Sequence, residues 1–132
     1  MTAGYSGKSL ADKLGVKPGV RLVRVNAPSH YEDLIGPLPE GAAYTDDVKS
    51  AHIAHVFVAD RAELAALAPK FPSALGTGAS LWISWPKKSS ASFVDLTEGG
   101  VRKAILPTGW VDVKVCAVDE DWSGLKFLRR RR

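Results

Sequence analysis

Ile53-Ala54-His55-Val56-Phe57-Val58-Ala59-Asp60-Arg61-Ala62-Glu63-Leu64-Ala65-Ala66-Leu67-Ala68 carries two structural periods back to back. Its first half is apolar almost without a break around Val56-Phe57-Val58. A strand reads this way when both its faces are buried, as they are in a parallel sheet. The second half opens with Asp60 and, three positions on, Glu63, a capping-box pattern. That pattern starts a helix over residues 61–68, with Leu64 and Leu67 on its core stripe. After the turn Leu75-Gly76-Thr77-Gly78-Ala79-Ser80, the strand pattern returns in Leu81-Trp82-Ile83-Ser84-Trp85 and is halted by Pro86. Strand, helix, strand in this order predicts a parallel unit with a helical crossover.

Upstream, residues 9–14 followed by Gly15 read as a short helix with a glycine stop. Lys17-Pro18-Gly19 is then a turn that launches the strand Val20-Arg21-Leu22-Val23-Arg24-Val25. Ser29 with Glu32 is a second capping-box pattern, for a brief helix to Leu34 stopped by Gly36-Pro37. Residues 42–45 form a second, short strand. Only seven residues join Thr45 to Ile53, while a parallel crossover needs about a dozen, so one of those strands is expected to be irregular or reversed. Downstream, Asp95 and Glu98 give a third capping box and a helix carrying Val101, Ala104 and Ile105. Gly99 and Gly100 weaken that helix. Residues 110–118 alternate and residues 124–128 return after a loop, which predicts an antiparallel hairpin. The expectation is a three-layer, Rossmann-like α/β domain with a mostly parallel sheet and an antiparallel C-terminal hairpin.

The 132 residues suit one domain, 45% hydrophobic and 24% charged. No apolar stretch is long enough to span a bilayer, and no secretory pattern opens the chain. A cytoplasmic protein without membrane contact is therefore expected. Cys116 is the sole cysteine, which excludes an internal disulfide and any multi-cysteine metal site, and it reads as a core residue. The net charge of +4 is carried entirely by Arg129, Arg130, Arg131 and Arg132, so residues 1–128 are neutral. The chain is accordingly divided into a domain over 1–128 and a basic tail over 129–132. A duplex reader spreads its cations along a face, and this distribution argues against nucleic-acid binding.

Few residues carry a chemical signature. His52 and His55 lie three apart in a segment leading into a strand. That spacing sends them to opposite faces and argues against a metal site. Ser29 is accounted for by capping, and no Ser-His-Asp order is present, so no catalytic residue is assigned. Trp85-Pro86-Lys87-Lys88-Ser89-Ser90 joins paired ammonium groups and hydroxyls to a following helix start, a combination suited to a small anionic or nucleotide-like ligand. Trp82 and Trp85 sit three apart in a strand. One should enter the core and the other lean out as a stacking surface.

The stretches Leu81-Trp82-Ile83-Ser84-Trp85-Pro86-Lys87-Lys88, Asp95-Leu96-Thr97 and Val111-Asp112-Val113-Lys114-Val115-Cys116-Ala117-Val118-Asp119 resemble a bacterial family of small single-domain proteins of uncharacterised function. The Trp122-Ser123-Gly124-Leu125 end and the opening around Leu14-Gly15-Val16-Lys17-Pro18-Gly19 fit it as well. More distantly, the order of elements resembles a trimmed Rossmann-like methyltransferase that uses S-adenosylmethionine. That resemblance implies a glycine-rich loop after the first strand and an acid about 20 positions on that holds a ribose. Here the loop is Asn26-Ala27-Pro28-Ser29-His30, without glycine and with one amide donor removed by Pro28. Asp46 stands where the acid would be.

A ligand is thus expected in the crevice beyond the carboxyl ends of the strands, among Asn26, Ser29, His30, Asp60, Arg61, Trp85 and Lys87, with Asp46 and Lys88 nearby. The missing glycine loop favours a non-catalytic binding or regulatory module. The alternative is an S-adenosylmethionine- or nucleotide-dependent transferase with an altered cofactor loop. The composition permits an oligomer without requiring one.

Overall fold

A computed structural model describes residues 9–130. Six strands form one sheet: β1 (Arg21–Val25), β2 (Ala43–Tyr44), β3 (Ile53–Phe57), β4 (Ser80–Pro86), β5 (Trp110–Ala117) and β6 (Trp122–Arg129), in the order β2-β1-β3-β4-β6-β5. The pairs β1–β2, β1–β3 and β3–β4 are parallel, whereas β4–β6 and β5–β6 are antiparallel. The expected mostly parallel sheet with an antiparallel hairpin is therefore what the chain forms. Helices α1 (Leu10–Leu14) and α2 (Tyr31–Ile35) cover one face. Helices α3 (Arg61–Leu67), α4 (Phe71–Ala74) and α5 (Glu98–Ile105) belong to the other.

Alternation along each strand divides the core between the two faces. In β3, Ile53 and Phe57 pack toward α1 and α2, while Ala54 and Val56 pack toward α3 and α5. In β4, Trp82 enters the first layer and Leu81, Ile83 and Trp85 the second. The expectation of one exposed tryptophan is wrong. Trp82 and Trp85 do point to opposite faces, but helices cover both, so both rings are buried. Trp82 donates its indole N–H to the Leu14 carbonyl at 3.2 Å.

The short crossover resolves without a reversed strand. β2 pairs only Ala43 with Arg21 and Tyr44 with Leu22, so it stops level with Leu22 while β1 continues to Val25. Having climbed so little of the sheet, the chain returns through a 3-10 turn at Val48–Ser50 and enters β3 beside Leu22.

Of the three capping boxes only that of α3 forms. Asp60 accepts from the Glu63 amide at 2.8 Å, and Glu63 reaches back to the Ala59 amide at 2.6 Å. Ser29 does not cap α2. The N-cap is His30, without a side-chain bond, and Glu32 pairs with Arg24 instead. In α5 the cap is Thr97, which accepts from the Gly100 amide at 3.2 Å. Asp95 accepts instead from the Arg61 amide at 2.9 Å, which ties α5's entry to α3.

β6 runs on through Arg129, whose guanidinium donates to the Leu75 carbonyl at 2.6 Å and lies 4.7 Å from the Trp110 ring centre. The basic cluster therefore begins inside the sheet, and Arg131 and Arg132 lie outside the described residues. Among the described residues no helix is long and apolar enough to cross a membrane.

Candidate functional site

Because β1, β3 and β4 are parallel, Val25, Phe57 and Pro86 end at one edge of the sheet. Since β6 runs against β4, pairing Trp122 with Pro86, the β5–β6 turn emerges at that same edge. Polar side chains from distant parts of the sequence gather there.

At the end of β1, Asn26 takes a left-handed backbone conformation with φ 55°, the one non-glycine residue among those described to do so. Glycine enters this region freely, and asparagine is among the few side-chain-bearing residues that tolerate it. The turn that follows opens on a shallow cleft of about 430 Å³ lined by Arg24, Asn26, Ser29, Tyr31 and Glu32, with Ala27 and Pro28. Arg24 spans one wall. Its guanidinium lies 3.9 Å from the Tyr44 ring centre and bonds Glu32 Oε2 at 3.0 Å. Burial raises the Tyr44 phenol above its usual value; Arg24 opposes that shift and Glu32 adds to it.

A second cleft of about 390 Å³ lies across the segment Ser29-His30, between α1, α2 and the β5–β6 turn. Its charged and titratable lining comes from Lys13, His30, Asp33, Asp119, Glu120 and Asp121, with Ser9 beside them. Asp119 is buried, and its Oδ1 accepts from the amides of Asp121 and Trp122, both at 2.8 Å, so the turn holds the carboxylate in place. Its Oδ2 stands 3.5 Å from His30 Nε2. Lys13 donates to the Ala117 carbonyl at 3.2 Å.

A buried polar chain anchors α2, which carries Tyr31 of the first cleft, to the sheet. Tyr31 O–H meets His55 Nδ1 at 2.9 Å, and His55 Nε2 meets Ser84 Oγ at 2.7 Å. His55 is fully buried, and loss of water pushes its pKa down to about 3, so the ring is neutral. Burial raises the Tyr31 phenol well above its ordinary value, with Tyr44 adding to that shift and Arg24 opposing it. Each of the three groups is satisfied by the next, the condition under which such a chain can lie in a core.

The sequence expectation is distributed over this edge as follows. Asn26 and Ser29 share the first cleft and His30 lines the second. Asp60, Trp85, Lys87 and Lys88 line neither: Asp60 caps α3, Trp85 is core, and the Lys87 amide donates to the Asp121 carbonyl at 2.8 Å. Arg61 lies on the opposite helical face, in a groove with Leu64, Leu96, Gly100 and Lys103. Asp46 follows β2, is exposed and lines neither cleft. His52 accepts from the Arg21 amide at 2.8 Å, and no group of metal-ligating side chains occurs among the described residues. Sequence reasoning missed Arg24, Tyr31, Asp33, Asp119 and Lys13. The acid run Asp119-Glu120-Asp121 was the available signal, because a hairpin turn beside β4 must surface where the parallel strands end.

No family model matches this chain, and no curated protein matches it. Solved structures do share its fold. A SAM dependent methyltransferase from Aquifex aeolicus matches with TM-score 0.61 at 10% identity, covering 89% of this chain and 86% of that one. The ribosomal protein L11 methylase from Lactobacillus delbrueckii subsp. bulgaricus matches with TM-score 0.58 at 13% identity, over 92% and 76%. Fibrillarin from Aeropyrum pernix, solved with natively bound S-adenosyl-L-methionine, matches with TM-score 0.54 at 15% identity, over 90% and 73%. At these identities the likeness is one of fold: this chain has a Rossmann-like, methyltransferase-like architecture.

Proposed function

We propose that this chain is an S-adenosylmethionine- or nucleotide-dependent transferase whose cofactor loop is rebuilt around Asn26. The observation that carries this reading is the left-handed backbone of Asn26 at the end of the first parallel strand, beside an open cleft. Asn26 stands where glycine would, so the loop keeps the bend of a cofactor turn without glycine's sequence signature. Solved structures of the same fold with an adenosyl cofactor bound support the ligand class.

The fit to such a cofactor is incomplete on the side of β2. Because β2 ends level with Leu22, Asp46 does not line the cleft, and the carboxylate that does, Glu32, is tied to Arg24. A second reading, a non-catalytic binding module on the same fold, is favoured by how the polar groups near the edge are engaged. Asp60 and Glu63 hold the start of α3, and Asp119 holds the β5–β6 turn. Neither reading needs a residue with a catalytic signature to be invented.

Calorimetry and thermal shift with S-adenosylmethionine, S-adenosylhomocysteine and ATP separate the readings. The transferase reading expects saturable binding of an adenosyl compound, and stabilisation of about 2.7 kcal/mol at a hundredfold excess over Kd. N26G should preserve that binding, since glycine adopts the same backbone. N26A should weaken it and lower stability by about 1 kcal/mol, the order of the left-handed penalty. Absence of binding across all three compounds would remove the transferase reading.

A further inference from the structure

The cleft between α1, α2 and the β5–β6 turn is distinct from the one beyond Asn26, with no lining residue in common. Its volume of about 390 Å³ falls within the range of small-molecule sites, roughly 300–1,000 Å³. It also contains a pair assembled from residues 89 positions apart, His30 and Asp119. The two amides on Oδ1 fix Asp119 so that Oδ2 faces the imidazole.

The tautomer follows from the partner. A carboxylate only accepts, so Nε2 of a neutral His30 carries the proton toward Asp119, and Nδ1 keeps its lone pair as an acceptor. No described residue bonds Nδ1. The imidazole is half exposed to the cleft, its side chain 51% accessible, while that of Asp119 is 11% accessible. Asp33, Glu120 and Asp121 add carboxylates around the pair, and Lys13, the one ammonium among the described lining residues, donates to the Ala117 carbonyl. This environment repels anions and offers a proton acceptor beside a fixed negative charge. α2 is held to the sheet by the Tyr31–His55–Ser84 chain, so the residue before Tyr31 has a defined position.

We propose that this cleft binds a small primary-amine ligand, its ammonium hydrogen-bonding to His30 and balancing the charge of Asp119. The site stands apart from the adenosyl reading, because no part of the amine needs the Asn26 turn.

The test uses the full chain and 1,5-diaminopentane as probe, with 1,5-pentanediol as an uncharged control, followed by NMR of the histidine imidazole signals and by calorimetry. The diamine should saturate and shift the His30 ring resonances, and the diol should do neither. His30→Ala and Asp119→Asn should each weaken diamine binding at least tenfold. Asp119→Asn keeps an oxygen for the two turn amides; should it misfold, His30→Phe, at a half-exposed position, carries the same test. Equal binding of the diol, diamine binding untouched by His30→Ala, or no binding at millimolar probe would each overturn the proposal. Failure of adenosyl compounds to bind would leave it standing.

Discussion

Asn26 and His55 are the two residues whose sequence reading and physical role diverge most. In the sequence, the absence of glycine after β1 stands for the absence of a cofactor turn. The bend of the backbone, however, depends on φ, and at 55° Asn26 takes the left-handed value without being glycine. His55 read as a histidine in an apolar strand. Nothing local announced that Tyr31 and Ser84 would satisfy both of its ring nitrogens, because those partners lie 24 and 29 positions away. Its burial has a pH consequence. The unfolded chain protonates His55 near 6.5 and the folded chain only near 3, so unfolding takes up a proton between those values. The His55 contribution to stability should be constant above about pH 6.5 and fall as pH drops toward 3, by roughly 1.4 kcal/mol per unit. Urea unfolding at a series of pH values checks this, and His55→Gln should flatten that part of the profile.

At the level of elements, hydrophobic period was a reliable guide and side-chain capping was not. β3, α3 and β4 were legible because a buried parallel strand, a capped amphipathic helix and a second buried strand follow in direct succession. Two capping boxes dissolved because their acids found other partners, Glu32 in Arg24 and Asp95 in the Arg61 amide. Such competition is set by tertiary proximity, which local spacing does not encode. Another long-range constraint falls on β6. A Cβ on Gly124 would stand 3.2 Å from Val118 Cγ2, 3.4 Å from Ser84 Oγ and 3.4 Å from Trp82 Cε3. Gly124 thus leaves room for the serine that ends the polar chain and for the indole that anchors α1. Gly124→Ala should destabilise by about 1–3 kcal/mol through overpacking, measured by chemical denaturation. It should also broaden the Trp82 indole N–H signal.

Across the whole molecule, the parallel strand-helix-strand unit, the antiparallel hairpin and the three layers were readable, because right-handed crossovers and two buried faces leave few arrangements open; the order of strands in the sheet was not. At the carboxyl edge Asn26, Ser29 and His30 were within reach of the sequence, but the division into two clefts and the remaining lining residues were not, since they arise where three separate connections meet. The sheet's two margins are also unlike. One ends in a strand of two residues, β2, and the other in the eight residues of β5, where Val113 and Val115 are exposed. A long free margin with apolar side chains invites other chains to add strands to it. β5 is interrupted between Asp112 and Lys114, where Val113 is the extra residue of a bulge opposite Phe127 and Lys126. A bulge raises the local twist and breaks the flat run of amides and carbonyls that an incoming strand would need. This irregularity therefore guards colloidal behaviour without serving either cleft. Removing Val113 should restore an even ladder, keep the native far-ultraviolet dichroism and make the protein associate with rising concentration, as light scattering would record.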